Sequence, residues 1–377
     1  MTRKPESMSA TQPTHPPYRA EHVGSLLRPD SLRKAFRDFS EGRIDAEAFR
    51  AEQDRSIREV VDLQEGLGFQ AVNDGEFRRV SYWAHFVEAT EGLEVEQARF
   101  DFHDNQGGVT PFLAPKIAGK VKRGRSISGD EFDFLQSVAK ATPKITMPSP
   151  PTMHFWGKAG QARAAGYRDD GEFFADLARV YREEFADLCG RGATYIQLDE
   201  VPLAMLCDDT LRERVKADGD DPDVLVQKYV DLFNDCLSGR PESLTVGMHL
   251  CRGNFKGQWL SEGGYRYVAE KMFNEIDVDA FFLEYDTPRA GDFAPLAAVP
   301  ESKSVVLGLV STKSNELEHP DALVRRVEEA GKHIAVERLA VSPQCGFAST
   351  VAGNPVTLDT EKAKLELVQE VARRVWG

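Results

Sequence analysis

The sequence predicts a parallel α/β fold, read as a single closed (β/α)8 barrel of the TIM type. Two observations carry this. Eight short apolar runs alternate with longer stretches of helical spacing, a rhythm that belongs to βα repeats. The unusual polar clusters stand just after those runs, where a barrel builds its active site. A doubly wound open sheet is the competing architecture. It usually carries a glycine-rich nucleotide loop after its first strand, and neither GxGxxG nor GxxxxGK[ST] occurs.

In chain order the expected strands are 20–24, 69–74, 144–147, 195–198, 243–249, 280–284, 304–309 and 338–341. Helical spacing marks 57–66, 172–189, 222–237, 264–274, 320–330 and 360–375, with Asp221 and Asp359 as N-caps. One stretch, about 91–142, breaks the rhythm. Its Gly107-Gly108 pair, the alternating 116–121 run and Gly124-Arg125-Ser126 predict a hairpin-like insertion after the second βα unit. Residues 1–17, rich in Pro, Ser and Thr, read as a disordered tail rather than a secretory signal. Residues 18–377 then form one catalytic domain.

Composition narrows the class of function. A chain of 377 residues with 41% hydrophobic and 29% charged residues suits a soluble enzyme with a substantial core. The net charge of −14 argues against nucleic acid and anionic membranes as partners. No apolar run approaches the roughly 20 residues of a membrane span. Five cysteines, an odd and low count, point to a reducing cytoplasm, with Cys189, Cys207 and Cys236 as small core residues. A homo-oligomer is compatible with all of this.

The polar clusters are Gly24-Ser25-Leu-Leu-Arg28, Asp74-Gly75-Glu76-Phe-Arg78-Arg79, Asp199-Glu200, His249-Leu-Cys251-Arg252, Glu284-Tyr-Asp286 and Ser342-Pro-Gln-Cys345. On a strand, residues i and i+2 share a face, so His249 and Cys251 can bind one ion. With Glu284 and Cys345 from other strands they make a plausible four-coordinate zinc set. Each also has an ordinary reading. His249 could be a hydrogen-bonded core histidine, Cys251 and Cys345 buried small hydrophobes, and Glu284 a partner of Arg252 or Arg289. A metal-free Cys/His nucleophile pair suits the spacing less well, because the two side chains lie parallel. Arg28, Arg78, Arg79 and Arg252 could bind a sulfonate or carboxylate, or simply be rim charge.

The motifs His-x-Cys-Arg-Gly-Asn, Phe-Phe-Leu-Glu-Tyr-Asp, Leu-Gly-Leu-Val-Ser-Thr-Lys and Ser-Pro-Gln-Cys-Gly-Phe-Ala-Ser resemble the catalytic domain of cobalamin-independent methionine synthase. The likeness is closer still to its shorter, single-barrel paralogues, and it runs from about Arg19 to Trp376. It implies zinc held by His249, Cys251, Glu284 and Cys345, with His249 and Glu284 in the catalytic centre. It implies Ser25, Glu76 and Asp199 at the amino-acid end of a homocysteine pocket, leaving Glu200 for an arginine. The implied activity is zinc-dependent methyl transfer to a thiol, most simply homocysteine, from a 5-methyltetrahydrofolate-type or other donor. Related single-barrel enzymes, the epoxyalkane:coenzyme M transferases, alkylate a sulfonate thiol instead. A metal-free, uroporphyrinogen-decarboxylase-like barrel and a non-catalytic zinc protein are further alternatives. The chain departs from the full-length family after the seventh strand, where it reads Leu309-Val-Ser311-Thr312-Lys313 in place of a histidine-bearing segment.

Overall fold

A computed structural model describes residues 18–377; the tail expected over 1–17 lies outside them. Six strands form one parallel sheet in the order Leu339–Pro343, Ser304–Val310, Ala280–Glu284, Thr245–Leu250, Tyr195–Glu200 and Ile145–Pro148. Every neighbouring pair is parallel, so each connection must cross over, and helices fill most of those crossovers. A two-residue strand, Ala71–Val72, pairs in parallel with Thr142–Pro143, and Lys144 N donates to Val72 O at 2.8 Å just before Ile145–Pro148 begins. At the other edge Ala20 bridges Val341, through Glu21 N to Val341 O and Val341 N to Arg19 O, both 2.9 Å. The fold is therefore α/β with a parallel sheet.

Two of the expected strands are much shorter than their apolar runs. From 20–24 only the bridge at Ala20 remains. The carbonyls of His22 and Val23 accept from side chains, Lys144 Nζ and Gln197 Nε2, so the backbone there needs no strand partner. From 69–74 only Ala71–Val72 remains, because the Gln64 amide takes both polar groups of Asn73. The other six match their runs to within a few residues, and Ala280–Glu284 matches throughout.

Helices Pro222–Leu237 and Pro320–Ala330 form as the spacing predicts. Asp221 caps the first through the amides of Asp223 and Val224. The expected cap Asp359 is not one; Thr357 caps Leu358–Trp376 by accepting from Thr360 N. The 264–274 segment divides into a 3₁₀ turn, Tyr265–Tyr267, and a short helix, Ala269–Glu275. Helix Asp30–Ser40 was not anticipated; it buries Leu32 and Ala35 on one face. Across 91–142 the chain forms a long antiparallel hairpin, Thr90–His103 with Val109–Arg123, followed by helix Gly129–Val138. No helix among the described residues is long and apolar enough to cross a membrane.

Candidate metal centre and adjoining cavity

The strand ends gather the polar clusters as expected. His249, on the strand Thr245–Leu250, and Cys251, just past its end, sit with Glu284 and Cys345, the latter after Leu339–Pro343. All four side chains are buried, and one ligand atom from each lies within 4.8 Å of the others. The Cys251 and Cys345 sulfurs are 3.4 Å apart. A tetrahedral zinc with bonds near 2.3 Å places two sulfurs about 3.8 Å apart, so little movement is needed. Both ring nitrogens of His249 are buried, and among the described residues neither has a hydrogen-bond partner. That is costly for an ordinary core histidine and natural for a ligand.

The local chain explains how these groups are aimed. Cys251 N donates to Glu200 O at 2.7 Å, holding the thiol over the neighbouring strand end. Glu284 Oε1 accepts from the Arg252 backbone N–H at 2.8 Å, and the Arg252 guanidinium packs over the Tyr265 ring at 4.5 Å. Burial first, with Cys345 adding to it, pushes the Glu284 carboxyl up to about 7, against the lowering effect of Lys313. The hydrogen bond between the two cysteines splits them: Cys345 is held well below the usual thiol range and Cys251 well above it. Burial opposes the imidazolium of His249, but Cys345, Asp199 and Glu284 outweigh it and raise His249. The cluster is built for dense negative charge beside a cation.

A cavity of about 430 Å³ opens beside His249, Cys251 and Cys345, and Ser25, Glu76 and Asp199 line it too. Glu76 has φ +59, one of two non-glycine residues among those described with a left-handed backbone. Such strain collects at functional sites. Here Asn73 and Asp74 brace it, their carboxamide and carboxylate oxygens accepting from Gly75 N and Glu76 N, both at 2.9 Å. Glu76 Oε1 accepts from Thr146 Oγ1 at 2.7 Å and stands 3.5 Å from Arg79, while Oε2 is buried without a partner. Asp199 accepts from Gln197 Nε2 at 2.7 Å. Burial, then the Glu76 charge, pushes Asp199 up to about 7. Gly346 packs closely on Ser25: a Cβ there would lie 2.0 Å from Ser25 Oγ, so that hydroxyl would have to move.

Several predicted residues are employed elsewhere. Arg28 donates to the carbonyls of Glu76, Arg79, Ala348 and Thr350, tying their loops together. Arg78 pairs with Asp54 and lies over Phe134, and neither arginine lines the cavity. Among the described residues Glu200 meets no arginine; its Oε1 accepts from Leu203 N at 2.5 Å, starting the short helix Pro202–Met205. Sequence reasoning also missed the cavity's apolar wall, made by Phe102 and Phe112 of the hairpin with Trp156 and Phe255. Alternation along the hairpin strands could have shown it.

With this geometry in view, comparison with known proteins is decisive. Residues 20–373 match the family described as the catalytic domain of cobalamin-independent synthase. The chain belongs to that family. It is 38% identical over 377 residues to the uncharacterised protein YxjG of Bacillus subtilis, covering 99% of this chain and 98% of that one. A methionine synthase of Saccharolobus solfataricus is 24% identical over 86% of each chain. A solved structure from Listeria monocytogenes, described as a candidate vitamin-B12-independent methionine synthase, superposes with a TM-score of 0.74. It is 29% identical and the match covers 96% of this chain and 98% of that one.

Proposed function

We propose that this chain is a zinc-dependent methyltransferase that methylates a thiol, with homocysteine the acceptor and methionine the product. The single observation that carries it is the buried His249–Cys251–Glu284–Cys345 set opening on a cavity with two carboxylates. Family membership supports the reaction class. The Ala20–Val341 bridge supports a closed (β/α)8 barrel as the frame for residues 18–377, with the Thr90–Arg123 hairpin inserted at its mouth.

His249, Cys251, Glu284 and Cys345 would hold the ion, and their donor chemistry fits zinc. Bound there, zinc would stabilise an incoming thiolate at neutral pH. The remaining work falls to the protein. Glu76 and Asp199 offer carboxylates to the acceptor's ammonium, and the Ser25 hydroxyl offers a polar contact beside them. Glu76 Oε2, buried and unpartnered, is the group that gains most from an incoming cation. The apolar wall limits water around the nucleophile. A sulfonate-bearing thiol is a poorer fit, since among the described residues no lysine or arginine lines the cavity.

The test is to measure zinc stoichiometry and methionine formation from homocysteine. A folded protein without zinc, whose turnover is indifferent to Cys345→Ser, would sink the proposal.

A further inference from the structure

A cation outside the cavity acts on the metal centre, and no anion has yet been assigned to it. Lys313, on the loop after Ser304–Val310, is half-buried, and among the described residues it forms no ion pair. Acids are not in short supply, with 61 Asp and Glu against 47 Lys and Arg. Its ammonium instead donates to the neutral Asn254 Oδ1 at 3.3 Å. Asn254 lines the cavity and Lys313 does not. Lys313 lines a separate cleft of about 320 Å³, together with Lys256.

Three loops fix this lysine in place. Thr312 N and Oγ1 donate to Gln344 Oε1 at 2.7 and 2.9 Å. The Asn354 amide donates to Thr312 O at 2.9 Å and to Asn254 Oδ1 at 2.8 Å, and Asn254 Nδ2 donates to Gly346 O at 2.6 Å. The loops that follow Cys251 and Cys345 are thus stitched to the one that carries Lys313. From this joint the Lys313 charge acts on Glu284, Cys251 and Cys345, favouring the anion at each while burial opposes it. Arg252 also acts on Glu284, but more weakly, and its guanidinium packs over the Tyr265 ring.

Charge counting gives that placement a purpose. Two thiolates and one carboxylate already exceed the charge of a dication by one. An incoming thiolate doubles the excess, and uncompensated charge in a buried site is costly. We infer that Lys313 is a positioning residue whose ammonium balances the acceptor's thiolate in the buried centre. The inference rests on the thiol methylation proposed above. A thiolate gains from the nearby ammonium, whereas a thioether, neutral at sulfur, does not. Methylation therefore cancels the attraction, so the same lysine that holds the ionised acceptor lets the product go.

The experiment compares Lys313→Gln with the native full chain. Glutamine keeps a donor for Asn254 Oδ1 but carries no charge; if it misfolds, Lys313→Met replaces it. Calorimetry on the zinc-loaded chain should show homocysteine weakened roughly 3- to 30-fold, with methionine affinity unchanged. Lys313→Arg should restore homocysteine binding, and Lys256→Gln, in the same cleft, should leave it alone. Zinc affinity, read by competition with a chromophoric chelator, should not fall in Lys313→Gln, because the dication takes the place of protons on its ligands. The inference is overturned if zinc affinity falls along with homocysteine affinity, or if methionine weakens as much as homocysteine; Lys313 would then be a loop tie. Unchanged homocysteine affinity, or an equal loss in Lys256→Gln, overturns it as well. If the zinc-loaded native chain binds no homocysteine, the acceptor assignment fails instead. The same comparison made with 2-mercaptoethanol and its S-methyl thioether then decides the role of Lys313.

Discussion

At the scale of single residues, the centre is defined by what its atoms lack. Among the described residues, His249 has two buried ring nitrogens without hydrogen-bond partners, and Glu76 has one such carboxylate oxygen. Buried polar atoms are rarely left so unless something else completes them. Cys345→Ser should lower zinc affinity by more than the roughly 10- to 100-fold that follows loss of a supporting hydrogen bond to a ligand. Competition with a chromophoric chelator measures this, and unchanged affinity would remove Cys345 from the set. Glu76→Gln keeps the shape but removes the charge proposed to meet the acceptor's ammonium. Homocysteine affinity should fall roughly 10- to 100-fold, read by calorimetry on the zinc-loaded chain. Equal affinity in the variant would assign Glu76 to structure alone, as the partner of Arg79 and Thr146.

Elements enter through the loops that carry these residues. Arg28 shows how far the surroundings can redirect a side chain. Placed among polar motifs it invites a substrate-binding role, yet its guanidinium bridges four carbonyls in two loops, Glu76–Arg79 and Ala348–Thr350. Arg28→Met should therefore act on stability, by about 1–3 kcal/mol, because it strands buried acceptors. Lysine should not rescue it, lacking the planar fork. Denaturant midpoints of the two variants test this, and native midpoints in both would show that the loops need no tie. The hairpin Thr90–Arg123 is the other element with a task beyond its own pairing, since Phe102 and Phe112 bring the aromatic wall to the cavity.

For the whole molecule, stability depends on carboxyl groups that the fold keeps protonated. Burial pushes Glu361, in the first turn of Leu358–Trp376, up to about 8, although it accepts from Leu27 N at 2.8 Å. Burial raises Glu200 likewise, to about 8. In an unfolded chain a glutamate titrates near ~4.3. Between that pH and 8 the folded state holds protons the unfolded state has lost, so stability declines as pH rises. The contribution is complete below about 4.3 and is lost as pH passes through the folded value. Each group contributes up to about 1.4 kcal/mol per pH unit in that window. Glu361→Gln keeps an acceptor for Leu27 N and should flatten part of the slope; melting temperatures from pH 5 to 8 with the native slope would refute it. Much of this architecture was legible in the sequence. Strand runs such as 280–284, helices such as 222–237 and the four-residue cluster that could hold a metal depend on side-chain type and spacing, which are local. The apolar runs at 20–24 and 69–74 overstate their strands, because Lys144, Gln197 and Gln64 satisfy the backbone from a distance. The same limit hid the employment of Arg28 and Arg78 and the aromatic wall made by Phe102, Phe112, Trp156 and Phe255. By itself the sequence determined the parallel α/β class and which groups can form the centre. Only the tertiary structure decided which charges face the cavity and which hold loops, because a side chain's partners are set by distance in space.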